Sequence, residues 1–169
     1  MSTEDDIKRV IGQEQGLVFS RFGEHTAFEL GSLLRARAVS EALAVIIDIR
    51  LWDRPLFYAA LPGTSASNAD WARRKRAAVE LFHRSTYRMV LEQGRPDQTF
   101  PPRYGLSPSD YVLAGGGFPI TVTGVGPIGV IAVSGLPQRK DHELIVAGLC
   151  TLLGKSAAEF ALPPRDDAP

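Results

Sequence analysis

The stretch VLAGGGFPITVTGVGPIGVIAVSG, residues 112–135, decides the fold class of this chain. Short runs of β-branched residues that are separated by glycine and proline are typical of strands joined by tight turns. A hairpin turn is predicted at Gly124–Pro127, where two glycines and a proline interrupt the run. The strands predicted in and beside this stretch span residues 111–114, 120–123 and 128–134.

The run Gly115-Gly116-Gly117 is compatible with an anion-binding loop or with a backbone bend. Glycine lets backbone N–H groups point together and lets a ligand approach closely. The run matches neither the Walker pattern nor a GxGxxG that opens a helix, and a predicted strand follows it, so a nucleotide-binding loop is disfavoured. We interpret the run as a bend between two strands that lines a small pocket, with Pro119 at a strand start.

The order of the other elements predicts the architecture. In chain order, these elements are helices at 3–15 and 24–42, strands at 44–50 and 56–61, a helix at 69–93 with a break near Ser85-Thr86, a loop at 94–110 and a closing helix at 140–160. This order is not the regular alternation of strand and helix that builds a parallel sheet. It predicts an α/β protein of the α+β type, with helices packed against an antiparallel sheet.

Composition argues against several classes of protein. The 169 residues carry no net formal charge, so no overall field attracts nucleic acid or an anionic membrane. The single cysteine, Cys150, cannot form an internal disulfide or a cysteine-rich metal site, and it fits a reducing compartment. The three histidines form no HExxH motif, so we predict no metal site. We expect a cytoplasmic protein without a membrane span, with one domain at 1–162 and a disordered tail at 163–169.

A basic run, Arg73–Arg76, follows Trp71 in the third helix. A run of charges is usually a solvated helix face. Helical spacing places Arg74 and Lys75 beside the apolar stripe of this helix, so the alternative is that one or both side chains point towards a pocket or a neighbouring subunit. An arginine in a pocket can bind a carboxylate through two hydrogen bonds.

The closing helix raises two further questions. Asp141-His142-Glu143 opens it, and carboxylates favour a helix start whatever the function, so helix stabilisation competes with a site role for His142. Residues 144–154 are apolar or small on every side, which is typical of a helix that is buried all round. We expect a second subunit to cover the face that the sheet does not, and the alternative is the N-terminal helix of the same chain.

Several short motifs together resemble the haem-degrading-domain family, which includes HbpS-like and GlcG-like proteins, and within it a subgroup of small uncharacterised proteins. The matching residues are Gly63-Thr64-Ser65, Asn68, Trp71, Arg74, Lys75, Gly115 to Ile120, Gly124, Gly129, Val133 to Pro137, and Asp141-His142. The resemblance implies a profilin-like three-layer α/β/α fold with a central antiparallel sheet. It also implies homo-oligomers and, for some relatives, haem binding or degradation. Relatives commonly have histidine before the glycine run, where this chain has Ala114.

Three hypotheses about function follow. The first is a homo-oligomeric protein without demonstrated catalysis, in which backbone amides and cations hold a small anionic ligand. The second is an enzyme that binds or degrades haem, with His83 or His142 as the iron ligand and Arg74 or Lys75 facing the propionates. The third is a structural or interaction module. The residues predicted to bind a ligand are Asn68, Trp71, Arg74, Lys75, Gly115, Gly116, Gly117, Pro119 and His142.

Overall fold

A four-stranded antiparallel sheet forms the centre of the protein in a computed structural model, which describes residues 3–164. Its strands are β1 (Ile46–Leu51), β2 (Pro55–Ala60), β3 (Gly117–Val122) and β4 (Gly126–Ser134), in the spatial order β2-β1-β4-β3. The predicted α+β class, an antiparallel sheet flanked by helices, is therefore confirmed. Residues 165–169 of the predicted tail lie outside the described residues.

Helices pack on both faces of the sheet. They are α1 (Thr3–Gly16), α2 (Glu24–Ser40), α3 (Ala66–Phe82), α4 (Thr86–Gln93), α5 (Gln138–Leu153) and the short α6 (Ala157–Phe160), with a 3₁₀ turn at Pro102–Tyr104. The predicted break near Ser85 is confirmed, because α3 ends at His83 in the left-handed conformation and Ser85 caps α4. Within residues 3–164, no helix is long and apolar enough to cross a membrane.

The alternation of side chains along β1 separates two apolar layers. Ile47 and Ile49 point to one face and join the main core, together with residues of α2 and α5. Ile46 points to the other face, where it packs with Ala72 of α3 and Ala132 of β4. This alternation places α3 over the face of the sheet opposite to α2 and α5, so α3 and α5 approach each other only at an end of β4.

Two local predictions in the opening stretch are wrong. Residues 111–114 form no strand, although Val112, Leu113 and Ala114 are buried, because Leu113 joins an apolar cluster with Ala78 of α3 and Met89 of α4 instead of pairing with the sheet. The glycine run is therefore not a bend between two strands, and it leads directly into β3. Pro119 is the third residue of β3, paired with Val130, and β3 tolerates it as an edge strand where the missing N–H disturbs little.

The closing helix is shorter than predicted, and its cover comes from the same chain. The helix α5 ends at Leu153, where Gly154 adopts the left-handed conformation, and α6 follows separately. Its glycine at position 148 lies against Leu34 of α2, and α6 lies beside its last turns. Because α2 and α6 bury this helix, its apolar surface gives no reason for a second subunit, and assembly stays a prediction.

Candidate functional site

A polar cleft of about 310 Å³ opens where the first turns of α3 face the loop between β4 and α5. Its lining combines residues from α3, from the loop before β3, from the end of β4 and from the start of α5. These residues are Asn68, Trp71, Lys75, Gln98, Ala114, Ser134, Gly135, Leu136, Pro137, Gln138 and Asp141. The volume lies at the lower end of the range of about 300–1,000 Å³ that is usual for small-molecule sites.

A buried ion pair between Lys75 and Asp141 forms one wall of the cleft. The Lys75 ammonium donates to Asp141 Oδ2 at 2.8 Å and to the carbonyl oxygen of Val133 at 2.9 Å. The second carboxylate oxygen, Asp141 Oδ1, accepts the N–H of Leu136 at 3.0 Å. The pair thereby ties α3, β4 and α5 together at the point where the three elements meet.

Burial shifts the pKa of both members of this pair towards the neutral forms. The side chains of Lys75 and Asp141 are only 3% and 1% exposed. Loss of water lowers the pKa of Lys75, although the Asp141 carboxylate opposes this shift. Loss of water also raises the pKa of Asp141, against the attraction of Lys75 and the backbone N–H groups of Leu136 and Gly135. The amine of Lys75 therefore holds its proton less firmly than the amine of a surface lysine does.

The three glycines permit this close approach of helices to the sheet. A Cβ on Gly116 would lie 2.8 Å from Lys75 Nζ and would overlap the carbonyl oxygen of Val133. A Cβ on Gly117 would lie 2.8 Å from Val79 of α3, and one on Gly115 would overlap the backbone of Gln138. The N–H of Gly117 donates to Thr86 Oγ1 at 2.9 Å, so this amide is already used within the protein.

Several polar groups in the cleft have no hydrogen-bond partner within residues 3–164. The Gln138 carboxamide uses its oxygen to accept the N–H of Gly115 at 3.2 Å, and Asn68 uses its oxygen to accept the N–H of Ser65 at 2.8 Å. Both NH₂ groups remain for a ligand. The other groups of this kind are the indole N–H of Trp71, the carboxamide of Gln98 and the hydroxyl of Ser134. The cleft thus presents mostly neutral hydrogen-bond donors beside one neutralised ion pair.

The structure brings three of the nine predicted ligand-binding residues into the cleft, namely Asn68, Trp71 and Lys75. Arg74 stays outside it, where its guanidinium lies 4.3 Å from the Trp71 ring centroid and its Nε donates to Asp70 at 2.9 Å. The glycine run and Pro119 do not line the cleft, although Gly116 packs against Lys75 and Gly115 against Gln138.

Four polar residues of the cleft are not among the predicted ligand-binding residues, namely Gln98, Ser134, Gln138 and Asp141. Two of them, Ser134 and Asp141, lie in the motifs that resemble the haem-degrading-domain family, and this resemblance was the only signal for them in the sequence. No local pattern distinguishes Gln98, which comes from the long loop after α4 and has a positive φ of 56°.

A larger cleft of about 470 Å³ lies between α5 and the segment after α6. Its charged side chains are already paired within the chain: Arg139 contacts Asp6 and Glu143, and Lys140 contacts Glu143 at 2.8 Å. We therefore place the candidate site in the smaller cleft, whose polar side chains include groups without a hydrogen-bond partner within residues 3–164. Within residues 3–164, no three His, Cys, Asp or Glu side chains converge to hold a metal ion.

His142 is buried completely and lies outside both clefts. Its Nε2 lies 2.7 Å from Gln13 Oε1, its ring contacts Tyr87 and Phe118, and its Nδ1 has no partner among the described residues. Burial, together with the nearby Arg139 cation, lowers the pKa of His142 to about 3. Its position indicates a packing role between α1 and α5.

We expect His142 to make the protein less stable in acid. Between about pH 3 and pH 6.5 the unfolded chain binds a proton at this histidine and the folded chain does not, so stability falls as pH decreases. This single group would contribute up to about 1.4 kcal/mol per pH unit. Urea unfolding across this range should show a shallower dependence for His142→Gln. The exposed His25, replaced in the same way, serves as the control, and an unchanged slope in His142→Gln would contradict the assignment.

Comparison with known proteins identifies the family. A family model described as "Haem degrading protein HbpS-like" matches residues 22–150. The chain belongs to this family. It is 62% identical over 154 residues to UPF0303 protein mlr5144 of Mesorhizobium japonicum, covering 91% of this chain and 92% of that protein. It is 50% identical over 167 residues to a UPF0303 protein of Brucella canis, covering 96% and 99%. These names state no activity.

Solved structures agree with the fold of this HbpS-like protein. The Ybr137w protein aligns with a TM-score of 0.79 and 25% identity, covering 91% of this chain and 95% of its own. HbpS aligns with a TM-score of 0.61 and 18% identity, covering 79% and 91%. The PduOC:heme complex aligns with a TM-score of 0.64 and 17% identity, covering 76% and 93%. The last two likenesses concern the fold alone.

The cleft residues do not fit haem. Haem iron is usually held by a histidine, cysteine, methionine or tyrosine side chain, and the lining of the cleft contains none of these. His142 is enclosed between α1 and α5, and His83 is an exposed helix-end residue whose ring stacks on Trp52 at 5.6 Å. Position 114, directly before the glycine run, lines the cleft with the methyl group of Ala114. The chain therefore lacks an axial ligand at its polar cleft.

Proposed function

We propose that this HbpS-like protein binds a small, polar, hydroxylated molecule in the cleft between α3 and α5. The observation that carries the proposal is the set of polar side-chain groups in the cleft without a partner in the described part of the chain, from Asn68, Trp71, Gln98, Ser134 and Gln138. Polar groups at a partly enclosed site are stabilised when a ligand supplies the missing hydrogen bonds.

The charge of the cleft favours a neutral or weakly anionic ligand. The predicted cation Arg74 is paired with Asp70, and Lys75 is paired with Asp141. A strongly anionic ligand would therefore meet neutral donors such as the Asn68 and Gln138 amides, and it would also approach the Asp141 carboxylate. Hydroxyl and carbonyl groups match these donors without such repulsion.

We also propose that the protein forms homo-oligomers in the cytoplasm and that its architecture is the profilin-like three-layer arrangement implied by the family resemblance. The apolar residues that remain more than half exposed are candidates for a subunit contact, for example Phe28 at 61% and Tyr58 at 51% on α2 and β2. Light scattering tests the assembly, and a monomer at high micromolar concentration would contradict it.

The two tryptophans provide a direct test of ligand binding. Trp71 lines the cleft with an indole N–H that has no partner within residues 3–164, whereas the indole of Trp52 donates to the carbonyl oxygen of Pro127 at 3.2 Å. We expect a panel of small hydroxy acids, aldehydes and sugars to contain compounds that shift the Trp71 indole NMR signal and leave the Trp52 signal in place. Gln98→Ala should weaken this binding about tenfold or more, because it removes one or two hydrogen bonds to the ligand.

A control variant is available on α1, where Gln15 is exposed and does not line the cleft. Gln15→Ala should bind as the natural sequence does. If no compound moves the Trp71 signal, or if Gln98→Ala binds with undiminished affinity, the proposed site is wrong.

Haemin binding at the cleft is not expected. Titration of micromolar protein with haemin should give no shift of the Soret band that depends on the cleft residues. A specific Soret shift that disappears in Gln98→Ala or Ser134→Ala would overturn this expectation and restore the haem hypothesis for this site.

A further inference from the structure

We propose that the amine of Lys75 captures the carbonyl carbon of a small hydroxylated aldehyde or ketone as a Schiff base. This inference rests on the proposed function, because the compound must first occupy the same cleft. It adds a covalent step and a chemical class of ligand to that site.

The position of Lys75 Nζ supports the capture. An ammonium has three N–H groups, and within residues 3–164 this one donates to two acceptors, Val133 O and Asp141 Oδ2. One N–H position is left for the cleft. Lys75 lines the cleft, and Gly116 packs against its nitrogen, because a Cβ at position 116 would lie only 2.8 Å from Nζ. A larger residue at position 116 would push the amine away from its two acceptors.

Asp141 provides the proton transfers that the step requires. The Lys75 ammonium gives one proton to the Asp141 carboxylate, and the neutral amine forms a C–N bond with the carbonyl carbon. The second proton moves from nitrogen to the former carbonyl oxygen. The Asp141 carboxyl then returns its proton to this hydroxyl, the C–O bond breaks, and water leaves. The product is a protonated imine beside a carboxylate, and no oxidant or reductant is consumed.

The charge of the site is the same before and after this step. A protonated imine carries one positive charge, as the ammonium does, so the buried Asp141 carboxylate neutralises both species. Burial also lowers the pKa of Lys75, which makes the neutral amine more accessible than on an exposed lysine. Without this carboxylate, a positively charged imine at the same buried position would have no counter-ion, and its formation would be disfavoured.

The cleft walls explain why the ligand should be hydroxylated. Ser134 ends β4, directly after the residue whose carbonyl oxygen accepts from Lys75. Its hydroxyl and the Asn68 NH₂ group can bind the carbonyl oxygen or the oxygens on neighbouring carbons. The only cysteine, Cys150, is buried near the end of α5 and belongs to the other cleft, so it does not compete for the carbonyl group.

Selective reductive labelling tests the proposal in the unaltered protein. The chain has four lysines, and Lys8, Lys140 and Lys155 are all exposed. The protein is incubated briefly near neutral pH with glyceraldehyde, glycolaldehyde or dihydroxyacetone and sodium cyanoborohydride, which reduces the C=N bond. Peptide mapping by mass spectrometry then gives the fraction of each lysine that carries the adduct.

We expect the adduct at Lys75 to exceed that at each exposed lysine about tenfold or more with at least one probe. Lys75→Arg keeps a cation for Asp141 and should lose this adduct while the exposed lysines label as before. Asp141→Asn should slow the labelling of Lys75 relative to Lys140. Exposed lysines labelled to the same extent as Lys75, or no adduct at Lys75 with any of the three probes, would overturn the proposal.

The same samples separate this failure from failure of the proposed function. If a probe shifts the Trp71 indole signal without labelling Lys75, the cleft binds the compound and only the covalent step is wrong. In that outcome the Lys75–Asp141 pair is a structural ion pair that joins α3 to α5.

Discussion

Lys75→Met is expected to lower the free energy of unfolding by about 3–5 kcal/mol, a large fraction of the stability of a domain of this size. The substitution removes the partner of a carboxylate that is 1% exposed and leaves its charge buried without compensation. It also leaves the carbonyl oxygen of Val133 without the Nζ donor. Urea unfolding near neutral pH measures the loss.

The sign of the pH dependence identifies Asp141 as the cause. Burial raises the pKa of Asp141, and removal of Lys75 removes the attraction that opposes this rise. A carboxyl with a raised pKa in the folded state stabilises the fold when protonated, and this contribution is lost as pH increases. The deficit of Lys75→Met should therefore be smaller near pH 5 than near pH 8.

Two further variants complete this test. Lys140→Met removes an exposed lysine that pairs with Glu143 at 2.8 Å, and surface pairs of this kind contribute at most about 1 kcal/mol. The double variant Lys75→Met with Asp141→Leu should recover much of the loss, since no isolated charge remains. Equal stability of Lys75→Met and Lys140→Met would contradict the buried pair.

Gly116→Ala is expected to lower the free energy of unfolding by about 3 kcal/mol, from backbone strain and steric overlap together. Gly116 has a φ of +116°, a conformation that residues with a Cβ rarely adopt. Its new methyl group would also overlap the carbonyl oxygen of Val133 and lie 2.8 Å from both Lys75 Nζ and Asp141 Cβ. Thermal and urea unfolding measure the loss.

Gly12 offers a matched comparison for Gly116. It lies within α1, and a Cβ built there meets no heavy atom within 4 Å. Gly12→Ala should stabilise the protein by up to about 1 kcal/mol, because alanine favours the helical conformation more than glycine does. If both substitutions change the free energy of unfolding by a similar amount, the predicted strain and steric overlap at Gly116 are wrong.

The sheet was predictable from the sequence because its signals are local. The β-branched runs on either side of residues 123–125 predict β3, β4 and their turn, and the observed turn contains Gly124 with a φ of +77°. Residues 111–114 carry the same kind of apolar signal, but there Leu113 packs with side chains of α3 and α4 and no strand pairing occurs. Burial in a loop and burial in a strand give the same local pattern.

The cleft was only partly predictable because its residues meet through tertiary packing. Trp71 and Lys75 share a face of α3 by helical spacing, which the sequence shows. The pairing of Lys75 with Asp141 spans 66 residues, and the arrival of Gln98 depends on the path of an irregular loop. Neither has a local signal. Because Lys75 is paired with Asp141, its ammonium is not available to neutralise an anionic ligand. The cleft therefore offers mainly neutral hydrogen-bond donors where the sequence predicted an anion site.

Gln13 joins the two ends of the described chain at a single buried point. Its Nε2 donates to the carbonyl oxygen of Phe160 at 2.6 Å, while its Oε1 contacts the ring of His142. Arg9 of α1 also donates to the carbonyl oxygen of Glu159. Detachment of either terminal segment therefore breaks contacts of the other, so the two segments form one cooperative unit. In hydrogen exchange, the amides of α1 and α6 should open with a common free energy instead of fraying independently.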